Sequence, residues 1–474
     1  MRERWLYAWG LGSVAFGGAS LLVPLYVVQL GGSAVDLGLL AATAAVIGAP
    51  GAIVFGRFAN RVDSRRTLVL VTLAGVAAAL AAVPLLSSIT AVIVANAVLW
   101  LVVASVAPVL TMLVVDDAPE SAGSDRIGLL NKYQGYGWAG GLVLGTVWPL
   151  VGTLLVGGAE VTRALFWLLA ACAAASTLGA ARSLPHPAPE DHVTGERRVR
   201  RVARLLSSSR RGVKTTTFAF SPNRLYWTTR GIHPRHLAGK LSPALATYLA
   251  AAALFFTGFA AFWAPLPLFF TEVGFGSGEV FALYLVSSLA SAVLYEGAGR
   301  FASTYDVRLL QSGALAARGV LFPIVAVLTG FGALAVSLVA AGAGLVAIGL
   351  TWAVIAVVGT AIVTRLAPPG VRGEVLGVHT ALGAVAGGVG GILGGWAATF
   401  GYLVAFGVAG GLVLVGAVLV LSLRTLSGGE RAAQSPAEPV AATAGGAAIP
   451  AVSGEEVSAV SNGASEDAPG ARTD

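Results

Sequence analysis

Charged and polar side chains are scarce inside the apolar stretches of this 474-residue chain, so the few present there carry most of what it could do chemically. Arg318 lies about nine residues from the basic end of its apolar run, roughly 13 Å deep if that run is a helix. A guanidinium at such depth is costly in hydrocarbon and usually faces a wet cavity. It is suited to holding an anionic solute or tuning a proton site; the alternative is an arginine reaching back toward the interface. Asn131, Gln134 and Trp138 are spaced by three and four, which puts them on one helix face, and Asn96 and Trp100 share a face by the same rule. Tyr284, Trp352 and His379 add polar tips further along. Singly, each fits helix packing or an interfacial aromatic equally well. As a set they outline a cavity that is aromatic, weakly polar and nearly uncharged.

Arg318, Glu296 and His379 are the candidates for coupling a proton to any movement. Glu296 precedes Arg300 by four residues, which also suits an ion pair at a helix edge. Asp36 and Glu279 are better explained as helix-start residues: Ser33 to Asp36 has capping-box spacing, and an acid there favours the helix dipole. Lys132, near the end of its run, reads as a snorkelling lysine. No cluster of groups suited to catalysis converges at one depth, so no catalytic residue and no enzyme is expected. His186, His192, His233 and His236 all fall in the polar central segment without tight ligand spacing, and Cys172 is the sole cysteine, so neither a metal site nor a disulfide is expected. A phosphate-cradling Gly-x-x-x-x-Gly-Lys-Ser/Thr loop is lacking, which disfavours an ATP-driven pump, and no cofactor is implied.

The elements that must position these residues follow from composition. A hydrophobic content of 56% with 11% charged residues, and a mean hydropathy of +0.81, lie well outside the usual composition of a water-soluble domain. A hydrocarbon core about 30 Å thick needs roughly 20 apolar residues per helical crossing, and about twelve such runs are present. They span approximately Trp5 to Val28, Leu37 to Phe58, Leu68 to Leu86, Ala91 to Val115, Ile127 to Val151 and Val161 to Ala181, then Pro243 to Phe270, Val280 to Gly299, Leu309 to Leu328, Leu334 to Val363, Val375 to Thr399 and Tyr402 to Leu423. The runs are continuous and too long for alternating barrel strands. The first is too long for a signal-peptide core and is expected to stay as an anchor.

Lys and Arg in short loops are retained on the cytoplasmic side. With the N-terminus inside, Arg2, Arg4, Arg126, Arg182, Arg300, Arg308, Arg365, Arg372 and Arg424 all fall on the inner face, while the outer loops hold Asp36, Glu160, Glu272 and Glu279, with Arg163 the exception. The net charge of +7 is then an inner rim facing anionic lipid and does not call for nucleic acid.

The runs form an internal repeat. One gapless offset lays Pro24 on Pro267, Gly31 on Gly274, Asp36 on Glu279, Gly56-Arg57-Phe58-Ala59 on Gly299-Arg300-Phe301-Ala302, Asp63 on Asp306 and Arg65 on Arg308. Because the offset carries an even number of crossings, the two halves run parallel, related by an axis along the membrane normal. Gly137, Gly141 and Gly145, and again Gly383, Gly387, Gly391 and Gly395, recur every four residues and make flat helix faces for close approach, either as static packing or as a seam along which the halves rock.

The loop Gly56-Arg57-Phe58-Ala59-Asn60-Arg61-Val62-Asp63-Ser64-Arg65-Arg66 resembles the signature cytoplasmic loop of the major facilitator superfamily, usually Gly-x-x-x-Asp-Arg-x-Gly-Arg-Arg, with its degenerate echo at Gly299, Arg300, Asp306 and Arg308. The basic central loop, the six-plus-six count and Arg372-Gly373-Glu374 agree with that family. The resemblance implies an all-α membrane protein of twelve transmembrane helices in two parallel-oriented six-helix halves. It also implies a gating latch at the loop, in which Asn60 replaces the usual acid and Asp63 is the available partner for Arg61. The glycine pattern of the fifth run is similar to the family's antiporter motif but lacks its Gly-Pro pair between Trp138 and Trp148.

The expected organisation is an N-terminal half over 1–182, a basic cytoplasmic loop over 183–241, a C-terminal half over 242–426 and a disordered tail over 427–474. Within the loop, Val199, Val202 and Leu206 alternate with arginines as a short amphipathic helix on the inner leaflet would, or as a solvated charge run. The expected function is secondary transport of a small organic solute by a plasma-membrane monomer with both termini cytoplasmic, leaning to proton-coupled efflux of an apolar or amphiphilic compound. Uptake of a metabolite anion, or a sensor on the same fold, are the alternatives.

Overall fold

A computed structural model describes residues 4–59, 65–116, 123–158, 160–184, 242–329, 332–368 and 372–434. Their regular structure is helical, without strands among the described residues. The first set is α1 (Arg4–Gln29), α2 (Ala34–Ala59), α3 (Arg65–Ala82), α4 (Ile89–Asp116), α5 (Gly123–Val156) and α6 (Val161–Ser183). The second is α7 (Pro243–Trp263), α8 (Leu266–Val273), α9 (Ser277–Thr304), α10 (Val307–Thr329), α11 (Leu334–Leu366), α12 (Arg372–Ala398) and α13 (Tyr402–Gln434). Among the described residues ten helical stretches are long and apolar enough to cross a membrane, Pro243–Val273 counting as one, and Ala34–Ile47 and Ile89–Ala104 are shorter apolar stretches within α2 and α4. All packing described here lies in the unit Met1–Gly429; the second unit, Glu430–Asp474, is described only through the end of α13.

Two boundaries differ from expectation. The seventh run is not one helix to Phe270 but breaks between Trp263 and Leu266. Pro265 and Pro267 lack an N–H, and their rings clash with the preceding turn. Pro24, alone in its run, leaves α1 continuous. At the other end α13 continues through position 426, and its described part runs to Gln434.

The helix starts obey the capping expectation. Ser33 N–H donates to Asp36 Oδ2 at 2.8 Å, and Asp36 N–H donates back to Ser33 Oγ at 3.3 Å. At the repeat-related start of α9, Gly276 N–H donates to Glu279 Oε2 at 2.8 Å. Each set is tied at its basic end by an arginine, the two ties standing one position apart in the repeat. Arg66 donates to the Ala181 carbonyl, linking α3 to α6, and Arg308 donates to the Leu423 carbonyl at 3.0 Å, linking α10 to α13.

Glycine decides which helices touch backbone to backbone. A Cβ on Gly137 would overlap the Gly10 carbonyl oxygen, and one on Gly141 the Val14 carbonyl, so these two seat α5 on α1 inside the first set. They are static packing rather than a seam between sets. Gly145 instead lies under Phe281 of α9, and Gly278 lies against the Thr146 carbonyl. In α12, Gly390 and Gly394 face the Thr257 and Ala261 carbonyls of α7, while Gly391 and Gly395 face Gly38 and Ala34 of α2. The α2–α12 and α5–α9 contacts therefore join the two sets, at the end that carries the α1–α2 and α8–α9 connections.

Gly137→Ala should thus lower stability by about 1–3 kcal/mol through overpacking. Gly387, with nothing within 4 Å of a built Cβ, should tolerate alanine to within about 0.5 kcal/mol. Thermal unfolding of the two variants in detergent micelles checks the pair.

Candidate functional site

Where the two sets meet, a cavity of about 480 Å³ is lined from both. α1 contributes Ser20, Leu21 and Pro24; α2 contributes Leu37, Leu40, Ala41 and Ala44. Asn96 and Trp100 come from α4, Trp138 and Leu142 from α5, and the second set supplies Ala260, Trp263, Ala264, Pro267, Tyr284 and Ser288. Several linings are repeat partners: Pro24 with Pro267, Leu21 with Ala264, Ser20 with Trp263, and Ala41 with Tyr284. The cavity thus straddles the axis relating the sets. Its walls are indole, phenol and aliphatic surface with an amide and two hydroxyls, and no lining residue carries a charge. Trp263 packs edge-on against Tyr284 with ring centroids 5.1 Å apart.

Four residues singled out in the sequence, Asn96, Trp100, Trp138 and Tyr284, come together here. Asn131 and Gln134 do not line the cavity, because they precede Trp138 by one to two turns of α5 and fall short of it. Trp263, Ser20 and Ser288 also line the cavity and were not singled out in the sequence. The signal for Trp263 was its place just before Pro265 and Pro267, where the helix must break.

The remaining three do not line the cavity and pack against Phe256 and Phe259 of α7. Arg318 is 2% exposed and does not reach an interface. Its Nη1 donates to the Ile348 carbonyl at 2.9 Å and to Thr351 Oγ1 at 3.4 Å. Its guanidinium lies 4.4 Å from the Phe259 ring centre, 5.4 Å from Trp352 and 5.6 Å from Phe322. An aromatic cage and one carbonyl therefore stabilise the cation inside the second set. Trp352 and His379 line a separate, small chamber between α7, α10, α11 and α12, with His379 packed against Phe256 at 5.4 Å. Phe259 contacts the guanidinium and Trp352, Phe256 contacts His379, and each precedes a cavity-lining residue, Ala260 or Trp263, by one turn of α7.

The Major Facilitator Superfamily sequence model matches residues 1–142. The nucleoside transporter NupG superposes with a TM-score of 0.64 at 12% identity, over 89% of this chain and 99% of its own. A peptide transporter, POT, gives 0.62 at 16% identity over 89% and 94%. The human organic anion transporter MFSD10 gives 0.52 at 20% identity over 88% and 98%. No curated protein sequence matches the chain. The fold is that of the major facilitator superfamily. At these identities the likeness to solved structures concerns the fold, and the sequence match lies in the first set of helices.

Of the major facilitator signature loop, Asn60, Arg61 and Asp63 lie outside the described residues, as does the central segment with its four histidines and the stretch 197–211. Gly56, Arg57 and Arg65 fall within α2 and α3. The echo after α9 is fully described. Arg300 pairs with Glu296 at 3.6 Å on the exposed surface, with the Glu296 side chain 86% exposed, so this acid stands apart from both cavity and chamber. Asp306 pairs with Arg424 at 3.4 Å, and together with the Arg308 bond to Leu423 this fastens α10 to α13 within the second set. Gly299 is part of α9. Lys132 is exposed, with its ammonium 5.6 Å from the Tyr136 ring centre.

Because Arg318 is held by planar stacking and a carbonyl, charge alone is a poor replacement for it. Arg318→Lys should lower thermal stability by about 1–3 kcal/mol, whereas Arg318→Met, which removes the buried charge and fills similar space, should cost less. Paired unfolding curves decide the order.

Proposed function

We propose that the chain moves a small apolar or amphiphilic organic solute across the cytoplasmic membrane by alternating access, without ATP. The observation that carries this reading is the aromatic, uncharged cavity built from repeat-related positions of both sets. Such a surface suits a solute with a flat apolar body and few hydrogen-bonding groups, held by ring contacts and the Asn96 amide. The family match and the fold support transport.

Direction follows from physical chemistry and charge. An apolar solute enters a cell unaided down its gradient, so a driven carrier for it is useful mainly outward. Described arginines at the Arg66, Arg126, Arg182, Arg300, Arg308, Arg365 and Arg424 ends favour placing those ends in the cytoplasm, and Asp36, Glu272 and Glu279 at the opposite end favour placing it outside. In that orientation the α2–α12 and α5–α9 glycine contacts close the outer side. Proton-coupled efflux is accordingly the reading we favour. A second reading, carriage of an organic anion, draws on Arg318, whose guanidinium packs on Phe259, one turn of α7 from the cavity-lining Trp263.

The test is flux in proteoliposomes of the purified protein under an imposed pH gradient, with a panel of lipophilic cations, neutral aromatics, organic anions and sugars, and internal pH followed alongside. Movement of an aromatic or amphiphilic solute with proton counter-movement is expected. Movement confined to organic anions would favour the second reading, and binding without flux would make the protein a sensor. Trp138→Ala or Trp100→Ala should weaken solute binding about tenfold, as loss of one aromatic contact worth ~1.4 kcal/mol implies. Equilibrium binding to the reconstituted variants measures it.

A further inference from the structure

The densest set of buried polar atoms outside the cavity lies in the chamber between α7, α10, α11 and α12. Tyr248 and Gln311 are both 0% exposed. The Tyr248 hydroxyl and both amide atoms of Gln311 lack a hydrogen-bond partner within the protein. Each such group left dry costs about 1–3 kcal/mol, and buried groups without a protein partner are usually met by ordered water. Both residues approach the same point, since a Cβ on Gly359 would sit 2.9 Å from the Tyr248 hydroxyl and 3.4 Å from Gln311 Nε2. The gap left by that glycine adjoins a cavity of about 20 Å³, bounded also by Thr360 and His379. A single water needs roughly 10–15 Å³ and two to four polar partners, and both conditions are met. The His379 imidazole stacks on the Tyr248 ring, with centroids 6.0 Å apart and planes 18° from parallel.

We propose that this chamber is a hydrated protonation site, in which a water bonded to Tyr248 and Gln311 passes a proton to the His379 imidazole and takes it back. The proposal rests on the transport reading and deepens it, placing the coupling event inside the second set of helices, behind Phe256 and Phe259 from the solute. The step balances: a hydronium gives its proton to an imidazole nitrogen, leaving water and imidazolium, and release reverses it. Histidine is the side chain here whose ordinary titration range is near neutral. The groups facing it are Tyr248 from α7, Gln311 from α10, Trp352 and Thr360 from α11 and Thr380 from α12; none is a carboxylate or a cation. Arg318 lies on the face of Trp352, 5.4 Å from its ring centre. With no counter-ion in the lining, the water and the Gln311 carbonyl must solvate the imidazolium, so filling the gap at Gly359 should suppress protonation.

The experiment uses the full chain in lipid with ¹⁵N-labelled histidine, titrated by NMR from about pH 5 to pH 9, the interval around an ordinary imidazole. The His379 signal is assigned by its loss in His379→Asn. In the native chain this signal should titrate. In Tyr248→Phe and Gly359→Ala the midpoint should fall by about one unit, a tenfold loss of proton affinity. Ethidium is the transport probe in the same liposomes: His379→Asn should keep ethidium counterflow at equal pH within about twofold while losing accumulation driven by a pH gradient. A His379 signal that never titrates, midpoints unmoved in both chamber variants, or gradient-driven accumulation intact in His379→Asn would each overturn the proposal. Absence of counterflow for every solute in the native chain would defeat the transport reading, and the titration would still judge the chamber.

Discussion

Hydrocarbon offers no hydrogen bonds, so every polar atom at membrane depth must find a partner within the protein or face a wet space. That constraint makes the crossings helical, and it shapes where they touch. Ser176 donates to the Ala8 carbonyl at 2.7 Å and Ser312 to the Ala417 carbonyl at 2.9 Å, so small hydroxyl residues fasten α6 to α1 and α10 to α13. Glycines bring backbones into contact where a side chain would hold them apart. Among the described residues the buried polar atoms that such packing does not satisfy are then few, and the Tyr248 hydroxyl and the Gln311 amide among them border the chamber.

Separation of these two spaces is the main feature the packing creates. The first set offers Asn96, Trp100 and Trp138 directly to the cavity. The second set withdraws Arg318, Trp352 and His379 behind the aromatic face of α7, where Phe259 covers the guanidinium and Phe256 contacts the imidazole. Phe262, stacked on Phe322 with centroids 4.0 Å apart, and Phe406 beyond it continue that aromatic mass toward α10 and α13. Both sets present polar groups to the cavity, Asn96 and Ser20 from one and Tyr284 and Ser288 from the other, while Arg318 and His379 of the second set stay outside it.

Much of this was legible in the residue order. Crossings follow from the length of apolar runs, helix starts from Ser33, Asp36 and Glu279, and the parallel sets from the offset that pairs Pro24 with Pro267. Four cavity residues were also legible, Asn96 and Trp100 through their shared helical spacing and Trp138 and Tyr284 as polar-tipped aromatics in apolar runs. What stayed hidden depends on rotation about each helix axis. Gly137 and Gly145 share a spacing pattern, yet one seats α5 on α1 and the other meets α9. Arg318 and His379 look like cavity residues by depth, yet they pack on Phe259 and Phe256 and do not line the cavity. Gln311 and Tyr248 drew no notice, since an isolated glutamine or tyrosine in an apolar run has no spacing signature.

The central claim is that the two sets of helices rock about the aromatic cavity, opening and closing the glycine seam between α2 and α12. The most direct measurement is a spin-label distance across that seam. With Cys172 replaced by serine, labels at Val35→Cys and Phe400→Cys, both on exposed positions beside the seam, report its width in lipid. The account predicts two distance populations, with the short one matching the closed contact between Gly38 and Gly395 and their ratio shifting when transported solute is added. A single short distance, unchanged by solute or by pH, would contradict it.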